Sequence, residues 1–244
     1  MSAPLVSCIV PVFNGAAYLR AALDSIFAQT HRPLDVVVVD DGSTDETPDL
    51  VAAYPQPLRS IRQANAGPST ARNRGLHEAR GAFIAFLDAD DLWHPDKLAL
   101  QIALLESRPD VAACVTLIQN FWEQELRDEQ EAFRGHPREQ PLPGYSSVTR
   151  LARRSLFDVI GGFDTRLKHG DDTDWFLRAS EAGATVELIP RVLVHRRMHA
   201  LSRSRQWQDR SRDEYLTLLK THLDRLRSGR PAPADDDDPP APRP

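Results

Sequence analysis

The sequence predicts an α/β protein in which a mostly parallel sheet has helices on both faces, followed by a C-terminal helix and a disordered tail. Over the first hundred residues, short apolar runs alternate with segments whose apolar residues recur at helical spacing. The apolar runs are continuous rather than alternating, which is typical of strands buried on both faces of a sheet. Strands that alternate with helices imply βαβ units, and therefore parallel neighbours.

Each element of the first half follows from a local pattern. An Asn14-Gly15 turn precedes the first helical pattern, and the spacing of Ser43 and Glu46 is that of a capping box before a short helix. Pro95 opens a later helix. Strands are expected at residues 6–10, 36–39, 58–61 and 83–87, and a helix at residues 69–79.

The second half is less regular. Residues 123–140 are polar and charge-dense, as expected of a loop or an irregular insertion. Residues 151–160 have a helical pattern, and another helix begins at Asp171 and stops at Gly183. Strands are expected at residues 111–118, 186–189 and 192–194, and a last amphipathic helix contains Tyr215, Leu216, Leu219, Leu223 and Leu226.

The composition excludes several classes of protein. The 244 residues carry a formal net charge of −5, which gives no basic field for nucleic acid. No apolar run approaches the roughly 20 residues that span a bilayer, and the first residues lack a signal-peptide pattern. Cys8 and Cys114 lie in apolar runs and are interpreted as buried thiols rather than metal ligands. A cytoplasmic protein is expected, with peripheral contact at the inner face of a membrane left open.

Chain organisation is predicted from the same patterns. One domain is expected over residues 1–227, with a first half that ends near residue 110. Residues 228–244 are rich in Pro, Ala and Asp, and they cannot form a core. We therefore expect this segment to be a disordered tail.

Five carboxylates follow predicted strands. Asp40 and Asp41 come after the second strand, and Asp88, Asp90 and Asp91 after the strand at residues 83–87. Ligands bind outside the carboxyl ends of the strands in an open α/β sheet, so these side chains are expected at one rim. A hard divalent cation, Mg²⁺ or Mn²⁺, would offset their repulsion. The alternative is that they only end strands and cap helices.

Two common phosphate-binding motifs are absent from the sequence. The sequence has no P-loop, and no G-x-G-x-x-G follows the first strand. Mg²⁺ is commonly bound by one or two carboxylates together with substrate phosphates. Arg72 could hold a diphosphate or a base near the rim, or it could be a solvated helix arginine.

The motifs, taken in order, resemble those of family 2 glycosyltransferases of the GT-A fold. The segments are VSCIVPVFN, VVVVDDGSTD, ANAGPSTARNRG, FLDADD, GGFD and GDDTDW. The resemblance covers residues 5 to about 200. It implies a Rossmann-like GT-A sheet and an inverting, metal-dependent enzyme that uses a nucleotide-diphosphate sugar, with a UDP-sugar favoured. By the same resemblance, residues 1–110 form the nucleotide-binding half and residues 111–227 the acceptor half.

The resemblance assigns roles to residues of the first half. Asp88 matches the first aspartate of the D-x-D motif, which faces the ribose, and Asp90 matches the last, which binds the metal. The nucleotide-sugar set that the resemblance implies is Pro11, Phe13, Asp40, Asp41, Arg72 and Asp88.

The remaining roles fall in the second half. The resemblance places Gly162, Phe163 and Asp164 in the loop that approaches the donor sugar and the acceptor. Asp171 takes the position of the usual Glu in a Glu-Asp pair, and Asp172 falls on the general base. His199 follows a basic segment and is a weaker candidate for the metal or a phosphate, with an exposed loop histidine as the alternative.

The base assignment also has a chemical basis. An inverting transfer needs a carboxylate that takes a proton from the acceptor hydroxyl. Asp171 and Asp174 have the spacing of an N-cap and its N3 partner, so both are interpreted as mainly structural. Asp171 is also assigned, with Gly162, Phe163 and Asp164, to the set that could meet the acceptor or the donor sugar.

Two rival functions are considered. A non-catalytic nucleotide-sugar or glycan-binding protein is disfavoured because Asp90 and Asp172 are both present. A sugar-phosphate nucleotidyltransferase would need a glycine-rich and basic loop after the first strand, and the chain has none there. The acceptor could be a glycan, a lipid-linked sugar or another hydroxyl compound.

Overall fold

The first half forms four parallel strands with helices between them. The computed structural model describes residues 3–200 and 208–228. All four strands and the helices predicted for this half are confirmed, with ends shifted by a few residues. The capping box predicted at Ser43 and Glu46 is wrong, because Glu46 itself is the N-cap residue of the short helix and no side chain caps it. The strands are β1 (Val6–Val12), β2 (Leu34–Asp40), β3 (Arg59–Arg62) and β4 (Phe83–Phe86), followed by the short β5 (Leu92–Trp93). The helices are α1 (Ala16–Phe27), α2 (Thr47–Ala52), α3 (Pro68–Glu78) and α4 (Lys97–Ser107).

Within residues 111–200 and 208–228, the second half adds four strands and four α-helices. The strands are β6 (Val111–Trp122), β7 (Leu142–Pro143), β8 (Leu151–Arg153) and β9 (Thr185–Met198). The helices are α5 (Arg127–Ala132), α6 (Arg154–Ile160), α7 (Asp171–Glu181) and α8 (Gln208–Ser228). The tail was predicted to begin at residue 228, but Ser228 is the last residue of α8, and residues 229–244 lie outside the described residues.

The strands form one mixed sheet in the order β3-β2-β1-β4-β8-β6-β9-β5, with β7 paired to β6. The longest pairings, β1 with β2 and β6 with β9, are parallel. Strand β8 runs antiparallel to both β4 and β6 and so joins the two halves of the sheet.

Three predictions of local structure are corrected. Residues 151–160 were expected as one helix, but the first three form β8, since Leu151 and Ala152 are buried between two strands. The strands expected at 186–189 and 192–194 are one strand, β9, with a bulge at the exposed residues 190–191. The polar residues 123–140 include the short helix α5 and two 3₁₀ turns.

The core lies on both faces of the sheet. Cys8 and Val10 of β1 pack on one face, in a cluster with residues of α1 and α4. Ile9 of the same strand faces the other cluster, which includes residues of α3, α6 and α7. The alternation along β1 confirms the predicted arrangement of helices on both faces. Among the described residues, no helix is long and apolar enough to cross a membrane.

A charged residue lies inside this core. The side chain of Lys97, at the start of α4, is fully buried. Its Nζ lies 4.3 Å from the centroid of the Trp93 ring and donates a hydrogen bond to Oε1 of Gln101 at 2.9 Å. Burial lowers the pKa of Lys97 to about 7, and burial raises the pKa of the thiols of Cys8 and Cys114 to about 12.

We expect Lys97 to make stability depend on pH. The pKa of an unfolded lysine is about 10.4, so between about pH 7 and pH 10 the unfolded chain binds more protons than the folded chain. The free energy of unfolding should therefore rise with pH in this window, by at most about 1.4 kcal/mol per pH unit. Urea denaturation at pH 7, 8 and 9 should give a flatter dependence for Lys97→Met, while the exposed Lys220→Met should keep the wild-type slope. Equal slopes for all three proteins would contradict this expectation.

Candidate active site

The carboxyl ends of β1, β2 and β4 lie side by side at one edge of the sheet. Val12 at the end of β1 is in register with Asp40 at the end of β2, and the Asp41 N–H donates to the Val12 carbonyl at 2.8 Å. Strand β4 pairs with the other side of β1, and the D-x-D segment, residues 88–90, follows it directly. The predicted rim is therefore formed by neighbouring strands.

Asp40 and Asp41 are both buried and hold the surrounding loops. Oδ1 of Asp40 accepts a hydrogen bond from the Ser43 N–H at 2.8 Å. Oδ1 of Asp41 accepts from the Gln63 side chain at 2.8 Å, while its Oδ2 accepts from the Gly67 N–H at 2.8 Å. These bonds fix residues 63–67, the loop that leads into α3.

Two other residues of the nucleotide set lie at the end of β1. Pro11 is buried within the strand. The Phe13 side chain is 51% exposed and stands at the rim. Asn14 follows with a φ of 49°, and its Oδ1 accepts a hydrogen bond from the Thr44 N–H at 2.8 Å. The segment after β1 is thus held to the segment after β2, next to an exposed aromatic ring.

Arg72 of α3 connects the D-x-D motif to α7. Its Nη2 lies 2.8 Å from Oδ1 of Asp88, and its Nη1 lies 2.8 Å from Oδ2 of Asp171. The hydroxyl of Ser69 donates to the same Asp171 oxygen at 2.9 Å. Burial alone would lower the pKa of Arg72, but the carboxylates of Asp88, Asp171 and Asp172 outweigh burial and raise it. The alternative of a solvated helix arginine is wrong, since Arg72 is buried.

Asp90 and His199, the two residues expected to bind a metal ion, lie next to each other. Nε2 of His199 is 3.0 Å from Oδ2 of Asp90. The His199 side chain is buried, so the alternative of an exposed loop histidine is wrong. Among the described residues, no group of three or more His, Cys, Asp or Glu side chains is arranged to hold a metal ion.

Asp91 indicates an excess of negative charge at this place. Burial raises its pKa well above the ordinary value, and the nearby charges of Asp90 and Asp88 raise it further. Arg197 of β9 donates its N–H to Oδ1 of Asp91 and its Nε to the Asp90 carbonyl, both at 3.0 Å. A divalent cation on Asp90 and His199 would offset the negative charge of the neighbouring carboxylates. Asp90 and His199 therefore fit a metal ion that takes its other ligands from substrate or water.

The loop at residues 161–164 is clamped to α3. Asn73 accepts a hydrogen bond from the Phe163 N–H and donates one to the Phe163 carbonyl, both at 2.7 Å. The Phe163 ring is fully buried, and Arg72 lies over it with 5.5 Å from the guanidinium carbon to the ring centroid. Both carboxylate oxygens of Asp164 are within hydrogen-bond distance of Arg166, which lowers the pKa of Asp164.

The first turn of α7 presents the paired aspartates. The N-cap position is Gly170, so Asp171 is the first helical residue and the predicted capping pair with Asp174 is wrong. Asp174 instead forms an ion pair with Arg178 at 2.7 Å, one turn further along the helix. Acidic residues in a first helical turn interact favourably with the helix dipole.

Asp172 is the most accessible carboxylate of this turn. Its side chain is 23% exposed. Its Oδ2 accepts a hydrogen bond from the Ser147 hydroxyl at 3.2 Å, and its Oδ1 lies 3.7 Å from Nη1 of Arg150. Burial raises the pKa of Asp172, Arg150 opposes the rise, and Asp171 adds to it. A carboxylate with a raised pKa is a better proton acceptor.

Sequence reasoning missed three residues of the site. Ser147 and Arg150 contact Asp172 from a segment with no regular pattern, immediately before β8. Asn73 lies beside Arg72 in the ARN segment, and that adjacency was the only signal that could have identified it. For Ser147 and Arg150 the sequence contains no comparable signal.

Solved structures with the same fold include a mannosyltransferase and a protein in complex with UDP-GlcNAc. The mannosyltransferase PcManGT from Pyrobaculum calidifontis, in complex with GDP-Man and Mn²⁺, aligns with a TM-score of 0.67 and 25% identity over 96% of this chain and 67% of that one. S. aureus TarS residues 1–349 in complex with UDP-GlcNAc aligns with a TM-score of 0.65 and 23% identity, over 81% of this chain and 59% of that one. The sheet and its rim therefore define a protein of the GT-A class.

The sequence comparison defines the family. The model of glycosyl transferase family 2 matches residues 7–171, and the chain belongs to that family. The uncharacterized glycosyltransferase RT0329 of Rickettsia typhi is 32% identical over 205 residues, which are 79% of this chain. The chain spans 64% of the length of that relative.

The clamp on the loop at residues 161–164 yields a test. A Cβ on Gly162 would lie 2.3 Å from Oδ1 of Asn73. We expect Gly162→Ala to lower the free energy of unfolding by about 1–3 kcal/mol, because Asn73 must move and its two bonds to Phe163 must break. Chemical denaturation of Gly162→Ala, Asn73→Ala and the double variant measures this. The Gly162→Ala penalty should be smaller when Asn73 is already truncated, and purely additive penalties would count against the clamp.

Proposed function

We propose that this chain is an inverting glycosyltransferase that moves a sugar from a nucleotide-diphosphate sugar, with a UDP-sugar favoured, to an acceptor hydroxyl. The observation that supports this best is the position of Asp172. It is a partly exposed carboxylate with a raised pKa, and its neighbour Asp171 is joined through Arg72 to the D-x-D residue Asp88. A proton acceptor is thereby connected to the end of the sheet where donor nucleotides bind in folds of this type.

The nucleotide is proposed to bind at the ends of β1, β2 and β4. Phe13 would supply an exposed ring, and Asp88 a partly exposed carboxylate for the ribose. Pro11, Asp40 and Asp41 are buried, so we propose that they act mainly by shaping the loops of the pocket. On this proposal residues 1–110 form the nucleotide-binding half of a domain that extends to residue 227.

Asp90 and His199 are proposed to hold Mg²⁺ or Mn²⁺. A divalent ion in a glycosyltransferase stabilises negative charge that develops on the leaving diphosphate. An aspartate oxygen and an imidazole nitrogen 3.0 Å apart are suitable ligands for such an ion, with Mn²⁺ the more tolerant of nitrogen. The PcManGT complex contains Mn²⁺, which supports the same use here.

Asp172 is proposed to be the general base. As the acceptor oxygen bonds to the anomeric carbon, its proton passes to a carboxylate oxygen of Asp172. The bond from the anomeric carbon to the diphosphate breaks on the opposite side, and its electron pair leaves with the diphosphate. Attack from the opposite face inverts the anomeric configuration.

The acceptor is proposed to approach from the second half of the chain, residues 111–227. Gly162, Phe163 and Asp164 belong to the loop held by Asn73, and Asp171 is the first residue of α7, next to the proposed base. Phe163 is fully buried, so on this proposal it shapes the loop rather than touching the acceptor. A glycan, a lipid-linked sugar or another hydroxyl compound would fit this proposal.

The donor site is tested by calorimetric titration of UDP, GDP and TDP into the protein with Mn²⁺ or with chelator. We expect one nucleotide to bind in a metal-dependent manner and Asp90→Ala to weaken binding at least about tenfold, because a carboxylate ligand of the ion is lost. The exposed Asp158→Ala serves as the control and should bind as wild type. If folded protein bound none of the three nucleotides, the proposed function would be wrong.

The base is tested by turnover of the donor that binds. We expect Asp172→Asn to lower kcat by about 10²–10⁴-fold, the usual contribution of a general base, and to leave nucleotide affinity within a few-fold of wild type. Release of UDP or GDP from the nucleotide sugar with Mn²⁺ provides the measurement, and Asp158→Asn is the matched control. Nucleotide binding without any turnover by the wild-type chain would favour the alternative of a non-catalytic nucleotide-sugar or glycan-binding protein.

A further inference from the structure

Arg150 is a buried cation surrounded by aromatic rings. It lies directly before β8, and its side chain is fully buried. The guanidinium carbon is 3.7 Å from the centroid of the Trp175 ring. Four further ring centroids lie between 5.2 and 5.8 Å from it, those of Phe86, Phe157, Phe163 and Phe176.

The guanidinium lacks the hydrogen bonds expected of a buried arginine. Within the described part of the chain, none of its three nitrogens has a hydrogen-bond partner. Its ion-pair partner is Asp172, with 3.7 Å between Nη1 and Oδ1, and that oxygen also lacks a hydrogen bond. Burial of a charge without hydrogen bonds is costly. This arrangement therefore calls for an explanation beyond packing.

The rings compensate part of the cost and fix the position of the charge. A cation over an aromatic face is attracted by the quadrupole of the ring, more strongly where water is excluded. Phe86 belongs to β4, Phe157 to α6, and Trp175 and Phe176 to α7, so three elements of the core hold the guanidinium in place. Its positive end is thereby held beside the Asp172 carboxylate.

We propose that Arg150 is a positioning residue that keeps Asp172 ionised and oriented, with Ser147 holding the second oxygen. This inference rests on the proposed function, in which Asp172 takes the acceptor proton. Arg150 is fully buried and does not reach a substrate, so it acts only through Asp172.

The charges around the pair agree with this role. The charged groups that face Asp172 are Arg150, Asp171 and Arg72, of which Arg150 lowers its pKa most. Asp171 is neutralised by Arg72 at 2.8 Å. Burial lowers the pKa of Arg150 to about 10, against the pull of Asp172, so Arg150 stays positive at neutral pH.

The experiment compares Arg150→Met, Arg150→Lys and Arg153→Met. Arg153 provides a matched control on β8, because its guanidinium lies over Phe83 at 5.4 Å and not at Asp172. The pH dependence of kcat is measured from the release of UDP or GDP from UDP-GlcNAc and GDP-mannose with Mn²⁺. We expect the acidic limb of the profile to move up by about one pH unit or more in Arg150→Met, as loss of a nearby opposite charge requires.

The other readouts separate positioning from a loss of stability. KM for the donor should stay within a few-fold of wild type, Arg150→Lys should restore part of the shift, and Arg153→Met should keep the wild-type profile. An unshifted acidic limb in folded Arg150→Met would overturn the inference.

A second measurement does not depend on turnover. Urea unfolding midpoints of wild type, Arg150→Met, Asp172→Asn and the double variant should be non-additive at pH 8 and additive at low pH, where Asp172 is protonated. Additivity at pH 8 would overturn the inference. If the wild type neither binds a nucleotide nor releases one from either donor, the proposed function is wrong. In that case the comparison of the four unfolding midpoints still decides whether Arg150 holds Asp172.

Discussion

The site depends on one buried guanidinium, that of Arg72. Two carboxylates from distant parts of the chain, Asp88 after β4 and Asp171 at the start of α7, lie 2.8 Å from its two terminal nitrogens. Without that cation, the two carboxylates would repel each other in a partly buried place. The attraction of Asp88 and Asp171 raises the pKa of Arg72 despite its burial. The same two contacts set the position of α7 relative to strands β1, β2 and β4. Asp172, the proposed proton acceptor, and the D-x-D motif are therefore held in one arrangement by α3.

A second buried cation completes this balance of charge. Arg72 forms ion pairs with Asp88 and Asp171, and Arg150 forms the ion pair with Asp172. Arg72 achieves its pairing through short hydrogen bonds, whereas Arg150 lies 3.7 Å from its partner and is held by aromatic rings. The difference matters chemically, because a carboxylate bound tightly by a guanidinium loses basicity, while one paired at longer range keeps more of it. The geometry thus suits Asp171 to structure and Asp172 to proton transfer.

The sequence predicted the parts of this molecule that depend on local chemistry. Continuous apolar runs gave β1, β2 and β4, and the polar residues after them were placed correctly at one rim. Strand β8 was missed because three residues are too few for a period, and their burial depends on β4 and β6. The surroundings of Arg150 could not be predicted either, because its five rings come from β4, α6, α7 and the loop at residues 161–164, which meet only when the sheet and its helices pack. The roles taken from the family motifs remain predictions.

Exposure separates the residues that can touch a substrate from those that shape its pocket. The side chains of Asp88, Asp90 and Asp172 are 38%, 35% and 23% exposed, whereas Asp40 is 3% exposed and both oxygens of Asp41 accept hydrogen bonds from its own chain. Carboxylates that follow neighbouring strands of one sheet thus differ in accessibility: those after β2 are buried under their own loops, and those after β4 are partly exposed. Asp41 holds the loop at residues 63–67 through hydrogen bonds from the N–H groups of Ala66 and Gly67, so its part in the proposed site is to shape that loop.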